Sequence, residues 1–301
     1  MNRESTATQN TTCAEYSAAI DVVTTYIQSH ISGALKLDQL ADLAGFSPHH
    51  FHRIFSALTG ETVAEHVRRV RLAAAVQRLL HTDIPVTEIA LTSGYETPAA
   101  FTKAFRQRFG VTPSALRTME REAAHTILLE QPTLQPVNTR SVTPEIRALP
   151  DLRILYVRGW GMVDYDFKVA ADAAFSTLAC YLHEQKLTDA FTATLGITPD
   201  DYNVVPHAQC RFDAGVMLKE GVAIAPTGNV EIQVLPAGRW AVFQHKGPYN
   251  TLWQSWNVAY RDWLPRSGER PRDVPPVEVY LNNVNHTPPE QLHTEILIPI
   301  L

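Results

Sequence analysis

The chain of 301 residues is 45% hydrophobic and 19% charged, with a formal net charge of −5. That composition excludes a globally disordered chain and is long enough for two domains of ordinary size. No apolar run reaches the length of a membrane span, and three isolated cysteines, Cys13, Cys180 and Cys210, argue against a disulfide framework or a cysteine-based zinc site.

Residues 1–13 are polar and lack the apolar centre of a signal peptide, so they read as a disordered tail on a cytoplasmic protein. Tyr16 to Ile31 carries Ile20, Val23, Ile27 and Ile31 on one side and reads as a helix. The run LDQLADLAGFS then gives a short apolar helix that ends in a turn at Gly45. In the following stretch Ser47 reads as the N-cap, Pro48 as the first helical residue and Gly60 as the stop. Phe51, Ile54, Phe55 and Leu58 make an apolar stripe. His49, His52, Arg53 and Ser56 make a polar stripe able to bond base edges and phosphates. Helix, glycine turn and helix with a basic outer face is the form of a DNA-reading helix-turn-helix, although any small helical bundle contains such corners.

A long helix follows at 62–80, with Val63, Val67, Val70, Ala74 and Leu79 inward. Arg68, Arg69, Arg71 and Arg78 face elsewhere, toward solvent or DNA phosphates. Residues 84–110 then repeat the first plan. Phe51, Phe55 and Gly60 recur as Phe101, Phe105 and Gly110, and Gly45 recurs as Gly94 with one residue inserted after it. The polar positions map from His49 to Ala99, His52 to Thr102, Arg53 to Lys103 and Ser56 to Arg106. The charge distribution agrees: 48–125 holds 10 Lys+Arg against 7 Asp+Glu, whereas 126–301 holds 14 against 19.

The run Ile89-Ala90, Gly94-Tyr95, Phe101, Phe105-Arg106, Phe109-Gly110, Pro113 and Arg117 resembles the signature of AraC/XylS-type transcription regulators. The resemblance covers about residues 18–118. It implies two recognition helices in successive major-groove segments of double-stranded DNA, with RNA polymerase as a further candidate partner. It also implies base-reading places for His49, His52 and Arg53 in the first unit and for Lys103 in the second. Pro98, Ala99 and Ala100 stand where relatives often carry polar readers. Small apolar residues can touch a thymine methyl. The first unit is therefore expected to carry most specificity and the second to hold phosphates.

The DNA-reading domain is expected at 14–125 and a Pro-containing linker at 126–145. From 146 the chain holds all five Trp (160, 240, 253, 256 and 263) and a series of short β-type runs. Their order is two strands, a helix and two strands, given twice, with helices at about 168–185 and 249–264. Leu149-Pro150 and Arg153 recur as Leu235-Pro236 and Arg239, both at an offset of 86. The expected fold is an all-α double helix-turn-helix followed by an α+β domain of duplicated β-β-α-β-β units.

The runs CRFDAGV, HKGPYNTLWQSW and PPVEVYLNN make 146–301 similar to GyrI-like effector-binding domains. A reader followed by such a domain resembles the Rob-type arrangement among AraC relatives. Strand alternation sets Glu278 and Tyr280 opposite Val277 and Val279. The resemblance implies that Glu278 lies in a ligand cavity, and an acid among aromatic rings suits a lipophilic cation as small-molecule effector. Tyr156, Trp160 and Trp256 are the other candidate lining residues, against the plain alternative that these rings are core. Two further readings of this half are a hydrolase with Glu278 as general base assisted by Tyr280, and a protein-docking module. No catalytic residue and no cofactor is expected, since phosphate and dinucleotide motifs are absent. No metal is expected either, because nothing in the sequence completes a site around His49, His50 and His52.

Overall fold

A computed structural model of the chain describes residues 2–119, 143–163, 167–200 and 207–301. Seven helices come first: α1 Asn2–Ser29, α2 Leu37–Ala44, α3 Pro48–Thr59, α4 Val63–His81, α5 Val86–Thr92, α6 Pro98–Phe109 and α7 Pro113–Thr118. α1 begins at Asn2, within the stretch 1–13 expected as a tail. The linker expected at 126–145 lies almost wholly outside the described residues.

The two helix-turn-helix units are α2–α3 and α5–α6. Their turns need a left-handed residue, which Gly45 (φ 68) and Gly94 (φ 78) supply without steric cost. α4 starts at a capping box in which Thr62 and Glu65 satisfy each other's backbone N–H groups. It bridges the units and divides its apolar surface between two cores. Phe51, Ile54, Phe55 and Val63 pack with α1 and α2, whereas Leu72, Val76 and Leu79 pack with Ile89, Phe101, Phe105 and Leu116. Its arginines serve this frame in part. Arg69 pairs with Glu61 at 2.7 Å, Arg78 bonds Thr92, and Arg71 donates to the carbonyls of Ile31 and Gly33.

The second half contains β1 Glu145–Leu149, β2 Leu152–Trp160, α8 Lys168–Glu184, β3 Phe191–Ile197 and β4 Arg211–Leu218. It then repeats the order with β5 Val230–Leu235, β6 Gly238–Lys246, a broken helix, β7 Val277–Tyr280 and β8 His293–Ile300. The broken helix consists of α9 Leu252–Asn257, a π-helical segment Val258–Trp263 and α10 Leu264–Ser267. The strands form one antiparallel sheet in the order β1-β6-β8-β7-β3-β4-β2-β5. Exchanging the two repeats reverses this order onto itself, so the first strand of each repeat crosses to the far edge of the other. Thr194 pairs with Tyr280 at the centre, and the Asp151 carboxylate accepts from the Ala237 amide at 2.7 Å. Both pairs are 86 residues apart, the offset visible in the sequence. Among the described residues no helix is long and apolar enough to cross a membrane.

Both helical segments of the repeats cover the same face of the sheet. Leu155, Val157, Ala214 and Val216 pack under α8. Ala241, Phe243, Ile296 and Ile298 pack under α9 to α10, and this cluster continues without a break into the core of α1 to α3. The two domains therefore share one apolar core. Tyr16 of α1 donates to the Glu269 carbonyl at 3.1 Å, and Glu15 pairs with Arg270 at 2.6 Å.

Gly159 on β2 lies where α8 crosses: a Cβ there would stand 2.5 Å from the Ala170 carbonyl oxygen. Because backbone cannot yield as a side chain does, Gly159→Ala is expected to cost about 1–3 kcal/mol of stability. Denaturant titration of purified protein measures this, and a loss below a few tenths would refute the tight crossing.

Candidate functional site

The outer faces of the two recognition helices differ. On α6, Ala99, Lys103 and Arg106 are exposed and Thr102 is half-buried. With Pro98, Gln107 and Thr112 they line one shallow concave surface. Pro98 at the first helical position and the Thr97 side chain, which accepts from the Ala100 amide, fix where this helix starts.

On α3 the corresponding face is covered by the sheet domain. The expectation of an outward polar stripe is corrected here: His52 is 4% exposed, and His49, Arg53 and Ser56 are half-buried. Arg53 donates to the Thr198 hydroxyl at 2.9 Å, and its guanidinium lies 4.0 Å from the centre of the Trp256 ring. His49 sits within the fields of Arg211 and Asp273, its pKa lowered chiefly by burial. The sequence could not show this cover, because period and spacing report which residues share a face, not what packs against it.

His50, which the spacing left outside the polar stripe, is 0% exposed. Its Nε2 faces the carbonyls of Arg272 and Val274 at 2.9 and 3.1 Å, so Nε2 carries the proton. Its Nδ1 then accepts from the Tyr260 hydroxyl at 2.7 Å. Tyr260 lies in the π-helical segment, which places a buried ring against α3.

Glu278 lies on the helix-covered face, opposite Val277 and Val279, as alternation predicts. Its Oε1 accepts from Trp256 Nε1 at 2.8 Å and its Oε2 from the Tyr280 hydroxyl at 3.1 Å. Both carboxylate oxygens therefore already hold an aromatic donor. Tyr280 in turn meets Tyr249 at 5.2 Å in a tilted contact and Phe175 of α8 at 6.0 Å edge to face, so rings from both repeats meet at the tyrosine that bonds this acid. Burial, then the nearby Glu278 charge, pushes the Tyr280 pKa well up, which keeps its hydroxyl a donor.

Two expected lining residues lie elsewhere. Tyr156 belongs to the cluster on the opposite face with Val277 and Val279, and donates to Glu231 at 2.5 Å. Burial, reinforced by that bond, pushes its pKa up to about 12. Trp160 has the same parity on β2 and is 61% exposed at the strand end. Among the described residues no group of three or more His, Cys, Asp or Glu is placed to hold a metal ion.

The His50 contact carries a pH signature. Burial lowers its pKa to about 3, with the fields of His49 and Arg53 acting in the same direction. Once undocked, the ring returns toward about 6.5. The docked state then binds fewer protons, so docking is at full strength above about pH 6.5 and weakens as pH falls toward 3. At pH 5.5 the expected loss is about 1.4 kcal/mol. Calorimetric unfolding should lose interdomain cooperativity between pH 7.5 and 5.5, and His50→Gln should reduce that change without abolishing it, since burial lowers the His52 pKa on the same helix as well; equal cooperativity at both pH values would contradict it.

Comparison with known proteins agrees with this geometry. A helix-turn-helix domain profile matches residues 40–119, and the profile of the GyrI-like small molecule binding domain matches residues 143–301. The uncharacterized HTH-type transcriptional regulator YbfP of Bacillus subtilis is 36% identical over 34% of this chain, and the chain spans only 35% of its length. The regulatory protein SoxS of Salmonella typhimurium is 34% identical over 33% of this chain and 92% of its own. The crystal structure of the DNA-binding domain of AdpA, a global transcriptional factor, in complex with a target DNA is 28% identical. It covers 35% of this chain and 94% of that one, with a TM-score of 0.33. The chain belongs to the AraC-type helix-turn-helix regulators and, through its larger half, to the GyrI-like small-molecule-binding family.

Proposed function

We propose that the protein is a sequence-specific DNA-binding transcription regulator of the cytoplasm, governed by a small lipophilic cation bound at Glu278. The observation that carries the first part is the repeated helix-turn-helix whose second copy presents Ala99, Thr102, Lys103 and Arg106 together on an open face. In this reading α6 positions the protein on phosphates and α3 reads bases through His49, His52 and Arg53 once it is free. RNA polymerase is then the further partner at the promoter.

Glu278 supplies a charge bonded by Trp256 and Tyr280, and Tyr280 is itself met by Tyr249 and Phe175. A cation with apolar substituents gains both the carboxylate and the ring faces. The site is read as binding and not catalytic: each carboxylate oxygen is occupied by an aromatic donor, which holds the acid in place and competes with proton abstraction.

Lys103→Ala and Arg106→Ala should each weaken binding about evenly across DNA sequences and lower the salt slope of the affinity by about 1. Fluorescence anisotropy with a duplex selected from a random pool checks this, and unchanged slopes would refute the phosphate role. Glu278→Gln keeps the shape and removes the charge. Calorimetry should show weaker binding of benzyltrimethylammonium, with little change for its neutral isostere neopentylbenzene. Equal losses for both would refute the cation preference.

A further inference from the structure

We infer that this structure is a closed state, in which the sheet domain withholds the first recognition helix from DNA and the release runs through Trp256 to the effector carboxylate. The inference rests on the readings of α3 and α6 as DNA readers and of Glu278 as the effector site.

Three observations carry it. The first is the asymmetry of the readers. Two copies of one motif have opposite fates: the face of α6 is open, whereas on α3 Arg53 of the same face lies against Thr198 and Trp256, and the adjoining His50 lies against Tyr260 and the carbonyls of Arg272 and Val274. A major groove cannot occupy the space that these groups fill. In this state the protein can engage DNA with one reader only.

The second is the contact chain. The Arg53 guanidinium rests on the Trp256 ring, and the edge of the same ring donates to Glu278. One indole thus joins a base-reading side chain to the effector carboxylate. A cation that takes Glu278 competes with Trp256 Nε1 for Oε1. It also brings a second positive charge to a ring that already carries Arg53. Both effects loosen Arg53, by removing its platform and by like-charge repulsion.

The third is the incomplete satisfaction of the latch. Arg53 Nε is buried without a hydrogen-bond partner among the described residues. Guanidinium donors in the major groove pair with guanine acceptors, so Arg53 has more to gain from DNA than it holds in the closed state. The latch therefore holds α3 without trapping it. By linkage, a cation that raises DNA affinity by some factor must itself bind DNA-bound protein more tightly by the same factor.

The test uses full-length protein, a duplex selected from a random pool and benzyltrimethylammonium as probe cation. The double variant Thr198→Ala, Tyr260→Phe removes two docking contacts outside the effector carboxylate. Without cation it should bind the duplex about tenfold more tightly than the unaltered chain. Hydroxyl-radical footprints should span two successive major-groove segments for the variant and one for the unaltered chain. Adding the cation, at occupancy verified by calorimetry, should extend the unaltered chain's footprint to two segments, so that the inference is tested even if the variant fails to fold. Equal affinity of a folded variant, a two-segment footprint of the unaltered chain without cation, or a footprint unmoved at full occupancy would each overturn the inference while leaving the DNA-reading assignment intact. Absence of any sequence-selective binding by the unaltered chain would overturn that assignment and the inference with it.

Discussion

The arrangement depends on the burial of one imidazole. His50 is held by Tyr260 on one nitrogen and by two backbone carbonyls on the other, with no exposed surface. A buried polar ring is tolerable only while these bonds persist, and losing a partner costs about 1–3 kcal/mol. The ring therefore enforces registry: α3 either sits where all the bonds close or leaves the surface. The Arg53–Trp256 contact adds roughly 0.5–2 kcal/mol on general grounds. A total of a few kcal/mol suits a contact that must hold in one state and yield in another, since a ligand shifts such an equilibrium only by its difference in affinity for the two states.

The sheet explains why the Glu278 carboxylate lies close to that contact. The strand exchange between repeats puts β7 and β3 at the centre and sets α8 and the broken helix side by side on one face. Glu278, on a central strand, is then bonded by Trp256 of the broken helix and by Tyr280, whose ring meets Phe175 of α8. The broken helix does two tasks at once. Its α-helical part gives Trp256 to Glu278, and its π-helical part gives Tyr260 to His50. The two rings lie 6.0 Å apart in a stacked arrangement, so displacement of one is felt by the other.

Much of this was legible in the sequence because it depends on local periodicity. The repeated Phe and Gly positions gave both helix-turn-helix units, the offset of 86 gave the duplicated sheet, and alternation around Glu278 gave its face. The misplaced rings were partly legible too: the same offset maps Tyr156 onto Val242, a valine of the opposite-face core. What the sequence could not supply was the docking of α3, because His50 and Tyr260 are 210 residues apart and no period links them. The polar stripe on α3 suits DNA and suits a partner domain equally well. Only the packed arrangement shows which residues of the second half lie against it.

The central claim is that α3 and the 258–274 surface protect each other until the cation and DNA together displace the contact. Hydrogen exchange on the full-length protein tests this most directly. In the free chain, amides of residues 48–59 and 258–274 should exchange slowly. Adding saturating selected duplex with benzyltrimethylammonium should speed exchange across 258–274 and slow it across 98–109. If 258–274 keeps its protection unchanged while 98–109 and 48–59 both become protected by DNA, the docked helix is not the obstacle and the account fails.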